Sequence, residues 1–257
     1  MRLVRFYREV FYLVALVVLL YLIGLALSPM NKMTELNKLV EEGVGSGGLE
    51  DSLYNLPELT PLVKERSYLI SLLELSRSDS IQMSIDCSDS TVCLYIKGLK
   101  IHQSKFNIVK EDRFFARLTN TQINRVFSQP LLIRKQTATI VKEPVVERLA
   151  PKDTAEAALT AWKPDTLMQN PAFLWLELDY GLDLILEQER NITFHDQMIR
   201  TTFYGSVWAE RFKQSLSQFL HFKKQDYHPT LKIAIPVDDL RSIYRALPNQ
   251  SNVAMKI

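Results

Sequence analysis

The chain of 257 residues lacks nearly every local pattern that announces a reaction. It has no Gly-x-x-x-x-Gly-Lys-Ser/Thr phosphate loop, no Gly-x-Ser-x-Gly elbow and no Ser-x-x-Lys unit, so no backbone cradle or activated hydroxyl is legible. Four histidines are present, His102, His195, His221 and His228, and no two have the His-x-x-x-His spacing that sets both rings on one helical face. The two cysteines, Cys87 and Cys93, form no Cys-x-x-Cys unit. Charge of one sign is missing too. Lys and Arg number 31 against 29 Asp and Glu, interspersed along the chain, which leaves no basic stripe for nucleic acid. No metal, cofactor or nucleic-acid partner is therefore expected.

One absence is local and decisive. The stretch opened by Val10 and closed by Leu27, VFYLVALVVLLYLIGLAL, carries no charge at all. Its roughly 18 residues, at about 1.5 Å each, cover most of a bilayer's hydrocarbon core, where a backbone satisfies its own polar groups only as a helix. The lipid bilayer is thus the one partner the sequence names. Arg2, Arg5 and Arg8 precede the run, whereas Lys32 is the single charge among the first residues after it. The positive-inside bias then predicts a cytoplasmic segment 1–9, a membrane helix over 10–28 and an exported body, the plan of a bacterial inner-membrane protein facing the periplasm. Ala26-Leu27-Ser28 resembles a signal-peptidase site, but the run is long for a cleaved signal and Pro29 would follow the cut, so an uncleaved anchor is favoured.

Beyond a break at Ser28-Pro29, residues 31–42 read as a short helix with Met33, Leu36, Leu39 and Val40 on one stripe, a continuation of the membrane helix in preference to a self-association helix. Half of the eight glycines fall within 43–48, which makes 29–48 a juxtamembrane helix plus flexible tether. The body, 49–257, mixes alternating strands with helical stripes and is expected to be α+β, with a mixed, mainly antiparallel sheet. A soft boundary is placed near 150–166, between Pro151 and Pro164.

Two hairpins stand out. In the first, Ile81, Met83 and Ile85 face Val92, Leu94 and Ile96 across a polar turn; the expected register sets Ile85 opposite Leu94 and Met83 opposite Ile96. Cys87 and Cys93 then lie on opposite faces, which favours two independent thiols over a disulfide. In the second, 173–179 and 182–188 turn at Tyr180-Gly181. A further strand is suggested at 191–194, and a long helix over 206–223 with Val207, Trp208, Phe212, Leu216, Phe219 and Leu220 as its buried stripe. The aromatic surplus there makes Trp208, Phe212 and Phe219 candidate partner-binding residues.

An anchored body at the cell envelope directs attention to enzymes of wall polymers. The segment Ile235-Pro236-Val237-Asp238-Asp239-Leu240, with Ile243 to Pro248 after it, is similar to the helix-then-strand ending of cysteine-dependent L,D-transpeptidases over about a tenth of the chain. Both cysteines precede every histidine, however, and neither has glycine beside it, so that chemistry has no residues to run on. Paired carboxylates remain. Glu177 and Asp179, near Trp175, are the candidate catalytic residues of an anchored hydrolase or transferase acting on envelope polymers. The competing and favoured expectation is a non-enzymatic component whose body binds another envelope protein or itself. Asn191-Ile192-Thr193 and Asn249-Gln250-Ser251 match the glycosylation sequon, relevant only in a eukaryotic secretory host.

Overall fold

A computed structural model describes residues 2–43, 56–142, 171–189 and 193–257. The boundary expected near 150–166, most of the glycine-rich tether and the Asn191 sequon lie outside the described residues. Helix α1, Arg2–Gly43, runs without interruption through Pro29. Proline removes the N–H that would bond the Leu25 carbonyl, and the Ser28 hydroxyl donates to that carbonyl instead, at 2.8 Å. Residues 31–42 thus continue the first helix, as expected, and only the break expected at Ser28-Pro29 is corrected. Across 10–20 every side chain is exposed, and the helix is long and apolar enough to cross a membrane. Beyond 27 the same helix turns inward on the body: Ser28 and Leu36 are each 3% exposed, Lys32 is 7% exposed, and Met33 and Leu39 pack against the main core.

The body continues with α2 (Thr60–Leu75), β1 (Gln82–Asp86), β2 (Thr91–Ile96), β3 (Leu99–Lys105), β4 (Asn107–Glu111), α3 (Asn120–Phe127) and β5 (Leu131–Ala138). The hairpin β6 (Phe173–Leu178) and β7 (Asp183–Gln188) follows, then α4 (Phe194–Leu220), β8 (Thr230–Ile235), α5 (Val237–Ala246) and β9 (Asn252–Lys256). One mixed sheet results, in the order β3-β2-β1-β9-β5-β6-β7-β8-β4. Only β1 with β9 and β7 with β8 are parallel.

The two ends of that order are covalent neighbours. Only Phe106 separates Lys105 of β3 from Asn107 of β4. In a flat sheet, eight spacings of about 4.8 Å would part them by about 38 Å, whereas two Cα steps of about 3.8 Å reach no farther than about 7.6 Å. The sheet must curl back on itself. Phe106, 4% exposed, plugs the corner, and its N–H donates to the Ser90 carbonyl at 2.9 Å.

Curling gives the sheet two unlike faces. The first collects one continuous hydrocarbon cluster from alternate positions: Met83 and Ile85, Leu174 and Leu176, Leu184 and Leu186, Ile233, Val253 and Met255, joined by Leu36 of α1, Ile123 of α3 and Leu240 and Ile243 of α5. The second carries two small clusters, Tyr68, Leu75 and Ala254 beneath α2 and Phe173, Trp175, Ile185 and Phe203 beneath α4.

The first hairpin pairs Ile85 with Val92 and Met83 with Leu94, two residues from the expected register. Asp86 is the cause: its carboxylate accepts from the backbone N–H groups of Ser88 (2.8 Å) and Asp89 (3.2 Å), which tightens the turn to 87–90. A slip of two preserves the faces, so Cys93 lies opposite Ser84 while Cys87 packs on the main core; both are free thiols. At the second hairpin Tyr180 and Gly181 both adopt left-handed φ, 59° and 64°, the requirement of a tight primed turn. No strand forms at 193–194. Thr193 and Asp196 make a reciprocal capping box there, and α4 begins twelve residues before the expected start at 206.

Candidate functional site

The candidate residues gather where α4 crosses the second face of the sheet. The helix seats on Phe173, Trp175 and Ile185 through Ile199, Phe203, Tyr204 and Val207. Continuing that stripe by one turn reaches Arg211. Its guanidinium pairs with both Asp183 carboxylate oxygens, lies 3.3 Å from Glu177 Oε2, donates to Gln214 Oε1 at 3.0 Å and stands 4.7 Å from the centre of the Trp175 ring. The register makes this possible, because Glu177 of β6 and Asp183 of β7 are direct cross-strand neighbours and would repel without a cation between them. Burial holds the Asp183 carboxyl above its usual range, against the opposing pull of Arg211.

His228 completes the cluster. Its Nε2 lies 3.3 Å from Arg211 Nη1 and its Nδ1 3.0 Å from the Gly181 carbonyl. Burial and the neighbouring guanidinium lower its pKa. The neutral tautomer that fits both contacts carries its proton on Nδ1, donating to Gly181 and accepting from Arg211 through Nε2. Gly181 is required here for space as well as conformation, since a Cβ would lie 3.3 Å from the His228 ring.

The two sequence-predicted carboxylates do not form a pair. Glu177 faces Arg211, whereas Asp179 is the first residue of a short 3-10 turn, Asp179–Gly181, and faces β5. There it accepts from Arg134 Nε at 2.5 Å and from the Leu132 backbone N–H at 3.0 Å. Each carboxylate is tied to its own arginine. A second ion cluster stands beside the first on the same face: Glu187 contacts Lys232 at 3.0 Å and Arg200 at 3.1 Å and accepts from the Tyr204 hydroxyl at 3.1 Å.

Trp208, Phe212 and Phe219 do converge, and part of what covers them is the chain's own helix α1. Phe219 meets the Tyr21 ring edge-on at 5.4 Å, Phe212 does so at 6.2 Å, and the Tyr21 hydroxyl lies 3.2 Å from Ser215 Oγ. Trp208 stacks on Phe212 at 5.2 Å yet is 67% exposed. The stripe expected to be buried is thus corrected: Trp208, Phe212, Leu216 and Leu220 are exposed on α4, because the sheet takes the neighbouring stripe through Phe203 and Val207. Between α1, α4 and the sheet lies a cleft of about 670 Å³, apolar along Tyr21, Leu25, Trp208 and Phe212 and polar at Asp183, Arg211 and His228. Arg211 was legible only as one of the polar residues of α4; its spacing of four from Val207 was the available signal. Among the described residues no group of three His, Cys, Asp or Glu side chains is placed to hold a metal ion. No family model matches the chain, and no curated protein or solved structure matches it.

Proposed function

We propose that this chain is a single-pass membrane protein without catalysis of its own, an interaction component that presents a docking surface beside its anchor. The observation that carries the reading is the exposed aromatic pair Trp208 and Phe212 at the mouth of a cleft built jointly by the anchor helix and the body. A surface of that kind is formed only when helix and body are held together, which suits a partner in the same membrane, either another envelope protein or a second copy of the chain. Arg2, Arg5 and Arg8 assign the near side of the helix to the cytoplasm and the body to the far side, as in a bacterial inner membrane. The hydrolase or transferase reading finds no support, since Glu177 and Asp179 each neutralise an arginine.

A photo-crosslinking amino acid at position 208 of the full chain, irradiated in native membranes, tests the proposal. One discrete adduct of reproducible mass, weakened by Phe212→Ala, is expected. Adducts no more discrete than those from a probe at exposed Lys100 of β3 would overturn it. The same strain carrying Glu177→Gln and Asp179→Asn should keep its phenotype.

A further inference from the structure

The turn that ends α4 is built against its own preferences. The Phe222 N–H donates to the Phe219 carbonyl at 3.0 Å and the Lys223 N–H to the Gln218 carbonyl at 2.9 Å, the paired bonds that close a helix when the residue at the turn takes left-handed φ. That residue is Phe222, with φ of 53°. Glycine usually fills this position because it carries no Cβ, and a bulky side chain adopts such a φ only at a cost in strain. No described residue covers the ring: Phe222 is 99% exposed, and Leu220 beside it is 66% exposed. An aromatic residue that is strained and yet packs on nothing within the chain has its partner outside it.

The contacts of α1 fix the depth of that turn. Taking the apolar run to end at Leu27, Tyr21 lies six residues inside that end, about 9 Å along the helix, and Gly24 three residues, about 4.5 Å. The Phe219 ring meets Tyr21 edge-on at 5.4 Å, and a Cβ on Gly24 would lie 3.2 Å from the Gln225 side chain. Both ends of the turn 219–225 are thus held at levels inside the run, within the roughly 5–10 Å to which interfacial helices sink their apolar faces. Gln225, 5% exposed, packs its amide on α1, which leaves Phe222 clear of the protein. At that level, what is not protein is acyl chain. Lys223 and Lys224, both exposed, follow the ring, and such side chains lay their stems along hydrocarbon while their ammonium groups reach back to the headgroups.

We infer that the end of α4 is a second membrane contact, a monotopic tip whose Phe222 and Leu220 insert among the acyl chains of the leaflet from which the body projects. Burial of the ring in hydrocarbon offsets the strain of its backbone. The tip rests on the membrane reading of α1 and is separate from the aromatic pair Trp208 and Phe212 proposed for a protein partner. A single spanning helix leaves its body free to rotate about the helix axis; a second insertion beside it fixes which side of the body meets the bilayer.

A photoreactive amino acid at position 222 of the full chain, irradiated in native membranes, captures whatever lies against the tip. Adducts carrying the mass of one phospholipid are expected, at a yield matching a probe at Leu16 of the apolar run and several-fold above one at exposed Lys100 of β3. With the probe moved to Leu220, Phe222→Asp, which tolerates left-handed φ but not hydrocarbon, should lower the lipid adducts several-fold without lowering the unfolding temperature. Lipid adducts at 222 no more frequent than at 100, protein adducts in their place, or an unchanged yield at 220 in Phe222→Asp would overturn the tip while leaving the anchor standing. An absence of lipid adducts at position 16 would overturn the membrane reading of α1 and the tip with it.

Discussion

The two faces of the sheet are held by different physics. On the first, side chains from α1, α3, α5 and alternate positions of the strands merge in one hydrocarbon cluster with Met83, Ile85, Leu176, Leu184 and Ile233 at 0% exposure. On the second, α4 rests on a small aromatic patch bordered by two ion clusters, Glu177-Asp183-Arg211-His228 and Glu187-Arg200-Lys232-Tyr204. Hydrocarbon contacts are non-directional and reward any close fit. Buried ion pairs reward one geometry and penalise every other, because a charge left alone out of water is costly. The first face thus supplies stability and the second fixes where α4 lies, which in turn places Trp208 and Phe212 beside α1.

Breaking the second face should give the largest single effect. Arg211→Ala strands Asp183, whose side chain is 6% exposed, and is expected to destabilise the full chain by about 3–5 kcal/mol in thermal unfolding from detergent micelles. Arg211→Met with Asp183→Leu removes both charges and should recover most of that loss. If the double variant were no better than the single one, the ion cluster would not be what positions α4.

On the first face, Leu36→Ala leaves a cavity at the point where α1 enters the core and should cost about 2–5 kcal/mol. Leu16→Ala, in the same helix but 55% exposed along the apolar run, should change stability by less than about 0.5 kcal/mol. Equal effects would mean that α1 is a tether after all. The measurement is the same unfolding curve, read with and without each substitution.

His228 offers a pH test of the second face alone. Its folded pKa lies below the ordinary 6.5, so above pH 6.5 neither state is protonated and nothing is lost. As the pH falls from 6.5 toward the lowered folded value, the unfolded chain takes up a proton that the folded chain refuses, and stability declines by at most about 1.4 kcal/mol per pH unit. Asp183 acts oppositely at lower pH: its raised pKa favours the folded state below the usual aspartate value of 3.8, a gain lost as pH rises through the folded pKa. His228→Gln should flatten the decline just below pH 6.5, and an unchanged slope would assign it to another group.

Much of the first face was legible in the sequence, and little of the second. Alternation marked both hairpins and the strands at 231–235 and 253–257, since a half-buried strand writes its period of two directly into the residues. The long apolar helix over 10–27 was legible for the opposite reason, having no polar face to hide. Sheet order was not. Nothing local says that β3 and β4, one residue apart, end at opposite edges. The stripe of α4 was misread because two neighbouring stripes are apolar and hydrophobicity alone does not say which one meets the sheet. Arg211 broke the correct stripe, and a charge on a buried face reads as solvated until its carboxylates, from residues far away in the chain, are seen beside it. The continuity of α1 was hidden by Pro29, whose lost hydrogen bond is replaced by the adjacent Ser28 hydroxyl.

A modest expected effect sharpens the comparison most, because it touches neither face. Thr193 caps α4 by accepting from the Asp196 N–H at 3.2 Å, while Asp196 accepts from the Thr193 N–H at 3.0 Å. Thr193→Ala removes one half of that exchange and should cost about 1 kcal/mol. A helix positioned only by its ends would swing when the cap is lost, and the Trp208 crosslink would fade in proportion. A helix held by Arg211 between two strands frays at its first turn and stays in place. The variant should therefore lose stability while keeping its crosslink at position 208, an outcome that end-on positioning of α4 does not allow.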